Sequence, residues 1–317
     1  MVRINDILHK NLGVALLVLF MLVGSAAWSQ QDPLYTQYMN NIMSVNPAYT
    51  AVRGVASIST VYRNQWIRLD GAPKSTSISF SMPVDSLNKM GLGVDFMHDY
   101  TVPLSTSMLF LNYSYRVNVA GNTTLSLGLK AGVSFLDANL DDLYRYHQED
   151  IYIIEDGEYQ SLLFNAGVGA FLYNDNFYAG FSVPRLFENL HNKDVTEVKA
   201  ASREKQHYFL HGAYMIDLSN EVSFKPGLTT IMTQGAPLTA DFDFSFLFHE
   251  QIWIGVMYRI SDALGGYMQF QYKNIKLGFS YDYSHTRLRQ FQSGTFEVLL
   301  RYDFCTRANQ RFPIPVF

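Results

Sequence analysis

The chain has 317 residues, of which 16 % are charged and 15 % aromatic, with a formal net charge of −4. That length allows one large domain or two ordinary ones, and the slight acidity excludes a nucleic-acid partner. Few charges beside 21 Tyr and 23 Phe point to apolar surface tipped with hydroxyls, as at a membrane interface.

The first 29 residues have the three-part build of a secretory signal peptide. Arg3 and Lys10 precede the apolar run "NLGVALLVLFMLVG", and "SAAWSQ" follows with small and polar residues. Cleavage is expected after Ser29. The run is short for a membrane-spanning helix, and no other run of spanning length follows. An exported chain without a helical anchor is periplasmic, secreted, or a β-barrel of the outer membrane. The one cysteine, Cys305, cannot form an intrachain disulfide.

Residues 30–52 come next and carry Pro33, Asn40, Asn41, Asn46 and Pro47. "NPAY" reads as a turn in which Pro47 fixes φ. This segment is expected to sit in the periplasm as a lead-in or to fold up into a lumen as a plug.

From residue 53 to 304 the pattern is a two-residue alternation, the mark of strands with one oily and one polar face. "LSLGLKAGVSF" sets Leu125, Leu127, Leu129, Ala131, Val133 and Phe135 against Ser126, Gly128, Lys130, Gly132 and Ser134. "DFDFSFLF" and "TFEVLLRYDF" repeat the scheme. The rule predicts fourteen strands near 55–63, 74–83, 90–99, 105–118, 123–136, 161–173, 176–184, 206–217, 221–232, 238–248, 251–260, 265–273, 275–284 and 295–304. Pro226 removes a ladder donor from the ninth.

Every second connection is a tight turn, and the three longest loops, 137–160, 185–205 and 285–294, all fall in the other set. Long loops at one end and short turns at the other are the signature of outer-membrane barrels. The expectation is therefore an all-β transmembrane antiparallel barrel of about fourteen strands. Both termini would lie at the short-turn, periplasmic end, with 305–317 as a periplasmic tail. The oily faces, with Tyr113, Tyr115, Tyr281, Tyr283 and Tyr302, are assigned to lipid. The polar faces are assigned to the lumen, with Arg116, Lys130, Asp241, Asp243, Lys273, Lys276, Asp282, Glu297, Arg301 and Asp303. Such a lumen is either wet or crossed by ion pairs that close it.

Little in the sequence carries catalytic chemistry. "GLGVDF" and "GVGAFL" do not complete a phosphate-binding G-x-G-x-x-G and open no helix, so their glycines read as packing room inside a barrel. His207 and His211 on a strand would stand about 13 Å apart at roughly 3.3 Å per residue, too far for one ion. No metal, no cofactor and no catalytic residue is expected, and the chain is read as not an enzyme.

The order and spacing of several short pieces carry a resemblance. "YTQYM", "NPAY", "YRNQW" and Gly71-Ala72-Pro73 are followed by "GLGV", "GFSVPRLF", "GTFEVLLRYDF" and the end "RFPIPVF". Together they resemble the PorP/SprF family of type IX secretion system membrane proteins, over nearly the whole mature chain. The resemblance implies an accessory barrel that supports export or surface attachment of particular cargo, such as large adhesins. It implies contacts with outer-membrane lipid, with the periplasmic machinery and with an exported cargo protein. It marks Asn46, Pro47, Ala48, Arg63, Gln65, Trp66, Pro184 and Glu297 as candidate binding positions. A passive channel or transporter for small or apolar solutes is the alternative left open.

Overall fold

A computed structural model describes residues 35–139, 158–189 and 204–304. The expected signal peptide and the tail 305–317 lie outside them. Fifteen strand segments run Ala56–Asn64 (β1), Lys74–Pro83 (β2), Met90–Thr101 (β3), Leu104–Ala120 (β4), Thr123–Asn139 (β5), Glu158–Tyr173 (β6), Phe177–Val183 (β7) and His207–Tyr214 (β8). They continue as Ile216–Asp217 (β9), Val222–Thr233 (β10), Thr239–Phe248 (β11), Ile252–Arg259 (β12), Ala263–Tyr272 (β13), Ile275–Ser284 (β14) and Thr295–Phe304 (β15).

All neighbours pair antiparallel, and β15 pairs β1 with Ala56 opposite Phe304 and Asn64 opposite Phe296. That last pairing closes the sheet, so no edge is left to recruit another chain. β8 and β9 are two parts of one stave, which makes the barrel fourteen-stranded. The split has a cause. Phe224 pairs Ile216 and Gly227 pairs Ala213, so the register is the same on both sides of the gap. Between them lies Pro226, which has no N–H to give the ladder.

The alternation sorts the wall as the pattern requires. Leu127 and Leu129 are exposed on the outside, while Ser126, Gly128 and Lys130 are buried inside. Phe296, Val298, Leu300, Tyr302 and Phe304 face out of β15, and Glu297, Leu299, Arg301 and Asp303 face in. Lys273 is a correction. It was assigned to the lumen, but β13 ends at Tyr272 and Lys273 is an exposed turn residue with φ of 52°, its ammonium 5.2 Å from the Tyr272 ring centroid. Alternation ceases where the turn begins, so position parity says nothing there.

Residues 35–55 lie inside the barrel. They form a 3-10 turn (Tyr38–Asn40), a short helix (Ile42–Val45) and a second 3-10 turn (Pro47–Tyr49). Elements this short cannot hold themselves together in water, and the wall holds them. Ile42, Met43, Ala48, Tyr49 and Val52 form one buried cluster with Phe171 of β6 and Tyr178 of β7. The Tyr49 and Phe171 rings meet edge-on at 5.3 Å, and Phe171 stacks on Tyr178 at 5.3 Å. The apolar core is thus inside a polar-lined barrel, between the lumenal segment and one side of the wall.

Candidate binding site in the barrel lumen

The lumenal segment meets the wall in two different ways. Its first residues meet charge. Arg63 of β1 stands directly opposite Glu297 of β15, and both are buried. Arg63 Nη1 donates to Glu297 Oε1 and, at 3.1 Å, to Asp282 Oδ2 of β14. The two Glu297 oxygens also accept the backbone N–H of Thr36 at 2.6 Å and of Gln37 at 3.0 Å. Thr36 Oγ1 donates to Asp282 Oδ2. A carboxylate that accepts from a guanidinium and two amides forms charge-assisted bonds, the stronger kind. Further on, Asn40 Oδ1 accepts from Lys276 Nζ at 3.2 Å, and Asn41 Nδ2 donates to Ser77 Oγ at 2.7 Å.

From Ser44 onward the wall reads backbone instead. Ser182 Oγ donates to Val45 O at 2.8 Å, Ser126 Oγ to Ala48 O at 2.6 Å, and Ser114 Oγ to Thr50 O at 2.7 Å. Lys130 Nζ donates to Ser44 O at 2.6 Å, lies 3.5 Å from Asp95 Oδ2 and sits 4.4 Å from the Phe110 ring centroid. Asn46 caps the second 3-10 turn, accepting from Ala48 N at 3.0 Å, while its Nδ2 donates to Ala170 O at 3.1 Å. That is the physical content of "NPAY": Asn46 ties the turn to the wall and Pro47 fixes its φ.

Glycines set how near the turn can come. A Cβ on Gly128 would overlap the backbone of Pro47 and Ala48, and one on Gly169 would overlap Asn46 Oδ1. Gly169 falls in "GVGAFL", whose glycines read as packing room, and what both glycines make room for is the lumenal segment.

The family-marked positions thus divide. Asn46, Pro47 and Ala48 come together with β5 and β6, and Arg63 comes together with Glu297. Gln65 and Trp66 lie apart from both groups, in the loop between β1 and β2. There Gln65 N donates to Pro73 O at 3.0 Å, and Trp66 is half-buried with φ of 50°. Pro184 is buried at the end of β7, against Gly167. Thr36 and Gln37 were not singled out, although both stand within "YTQYM", and Asn40 was named only as part of the lead-in segment. Among the described residues no group of His, Cys, Asp or Glu is arranged to hold a metal. His211 lies beside Asn46, with Nε2 3.1 Å from Nδ2, and its ring packs on Phe171 and Tyr178.

Above the segment, toward the long-loop end, lies a cavity of about 60 Å³ walled by Val45, Met97, Met108, Phe110, Phe209 and Ile231 among others. Most of its exposed lining area is apolar, with Asp95, Lys130, Arg185 and Asp241 also at its wall.

The closed barrel and its lumen match a known family along residues 27–302: "Type IX secretion system membrane protein PorP/SprF". The chain belongs to that family. Its place is the outer membrane, and it is a membrane component of type IX secretion. No curated protein matches it. Among solved structures it is similar to the Ralstonia pickettii toluene transporter TbuX, at 8 % identity and a TM-score of 0.50, covering 81 % of this chain and 91 % of that one. It is also similar to the Acinetobacter baumannii outer membrane protein Omp33, at 7 % identity and a TM-score of 0.47, over 79 % and 98 % of the two chains. At such identities the likeness concerns the barrel fold alone.

Proposed function

We propose that this PorP/SprF barrel is a non-enzymatic accessory of type IX secretion that supports export or surface attachment of specific cargo, such as adhesins, and contacts the periplasmic machinery. The observation that supports it most is the occupied lumen. A segment of the chain itself lies across the interior, bonded to wall strands on both sides, so the barrel suits docking better than bulk passage. The long-loop end, with Trp66 and Arg68 in its first loop, would face the exported partner. The short-turn end would face the machinery. Deleting the gene should leave particular type IX cargo inside the cell while other cargo reaches the surface. Normal surface display of every cargo would sink the proposal.

A second reading, passage of small apolar solutes, is favoured by the apolar cavity above the lumenal segment. The toluene transporter named above is a protein of similar fold, which makes the reading worth a direct measurement. Uptake of an apolar tracer into liposomes carrying the purified barrel separates the two. Uptake above that of empty liposomes favours transport, and none favours docking.

A further inference from the structure

A second, smaller cavity lies at the short-turn end of the lumen. One side is a patch of hydroxyls: Ser57 stands opposite Ser81, and Ser59 opposite Ser79, on β1 and β2. The other side is Arg301 of β15, Arg53 and Asn40.

The charges around it do not balance. Arg53, Lys276 and Arg301 are all buried, and Asp303 is the one carboxylate paired with any of them among the described residues. Both Asp303 oxygens accept from Arg53, at 3.3 and 2.8 Å. Arg301 Nε is 3.7 Å from Asp303, too far for a hydrogen bond. Arg301 Nη1 reaches Asn40 Oδ1 only at 3.5 Å, and Lys276 shares that oxygen. Arg301 Nε and Asn40 Nδ2 have no hydrogen-bond partner. The other lumenal acids are engaged elsewhere: Asp282 and Glu297 with Arg63, Asp243 with Tyr267, Asp241 with Arg259, and Asp95 with Lys130 and the Ser79 hydroxyl. A buried guanidinium that must share its one carboxylate with a second arginine is incompletely compensated. Two unpartnered donors beside one cavity, with a surplus of buried positive charge, describe an anion site.

Size selects the anion. The cavity has a volume of about 20 Å³. One water needs roughly 10–15 Å³ by the same measure, so a single ion of water-like size fits and a phosphate does not. We propose that this cavity binds one chloride ion, held by Arg301, Asn40 and the hydroxyls of Ser57, Ser59 and Ser81, which ties the lumenal segment to β15.

The test uses the full-length purified barrel in detergent. Thermal unfolding is followed in sodium chloride and in sodium gluconate at equal ionic strength, gluconate being too large to enter. Crystals are grown with bromide in place of chloride. The proposal expects Tm to rise with chloride and level off, and an anomalous bromine peak between Arg301 and Asn40. Arg301→Met should abolish the chloride dependence. If that variant does not fold, Ser59→Val, which fills the cavity and leaves every charge in place, should abolish it as well. Identical Tm in both salts, or no bromine peak at that position, overturns the proposal.

Discussion

The two halves of the lumenal segment are fixed by different physics. Around Thr36 and Gln37 the wall offers ionised groups, and specific side chains on β1, β14 and β15 do the holding. Around Val45, Ala48 and Thr50 the wall offers neutral hydroxyls to backbone carbonyls, and bare glycine lets the turn come close. The first half depends on charge and the second on shape. A buried charge left without its partner is far more harmful than a neutral hydrogen bond lost. The two halves should therefore answer mutation on different scales, and each should loosen without the other.

The largest effect is expected from Glu297→Gln. It removes the carboxylate from Arg63 and from the amides of Thr36 and Gln37. Breaking a buried ion pair on one side costs about 3–5 kcal/mol, and because Arg63 keeps Asp282 at 3.1 Å the loss is expected toward the low end of that range. Denaturant unfolding of the purified barrel measures the loss. Hydrogen exchange should then show the amides of Thr36 and Gln37 opening while those of Ala48 to Thr50 stay protected. If both stretches open together, the segment is one cooperative unit and the division fails.

How much of this could be read beforehand follows the range of each cause. The wall was readable because its cause is local: a two-residue period decides facing strand by strand, and Leu127, Lys130, Glu297 and Tyr302 all face as their parity requires. The Arg63–Glu297 pair was not readable as a pair. The two residues are 234 positions apart and meet only because β15 closes on β1. Gly169 in "GVGAFL" showed that space was needed without showing for what, since the occupant, Asn46, lies far earlier in the chain. The family motif did mark Asn46, Pro47, Ala48, Arg63 and Glu297, and these include contacts in both halves of the segment. Thr36 and Gln37 escaped as individual residues because what they offer Glu297 is backbone N–H, which leaves no trace in side-chain identity.

Gly128→Val probes the second half from the side of shape. The new side chain would overlap the backbone at Pro47 and Ala48, and neither can give way as a flexible side chain would. Overpacking of this kind costs typically about 1–3 kcal/mol. Exchange should rise at residues 48 to 50 while Thr36 and Gln37 remain protected, the mirror image of the Glu297→Gln result. Unchanged exchange at 48 to 50 would mean that the turn is not seated against β5.

Ser126→Ala is the mildest perturbation and the sharpest check on the comparison. It removes the hydroxyl that donates to Ala48 O at 2.6 Å and changes no charge. A neutral hydrogen bond contributes about 0.5–1.5 kcal/mol net, and Ala48 N keeps its own bond to Asn46 Oδ1. Ser182 and Ser114 still hold the carbonyls on either side, so the turn has other anchors when one is lost. The expected loss in denaturant unfolding is therefore a small fraction of that for Glu297→Gln. A loss as large would mean that the turn has no such redundancy, and that the neutral half depends on each hydroxyl as strictly as the ionic half depends on Glu297.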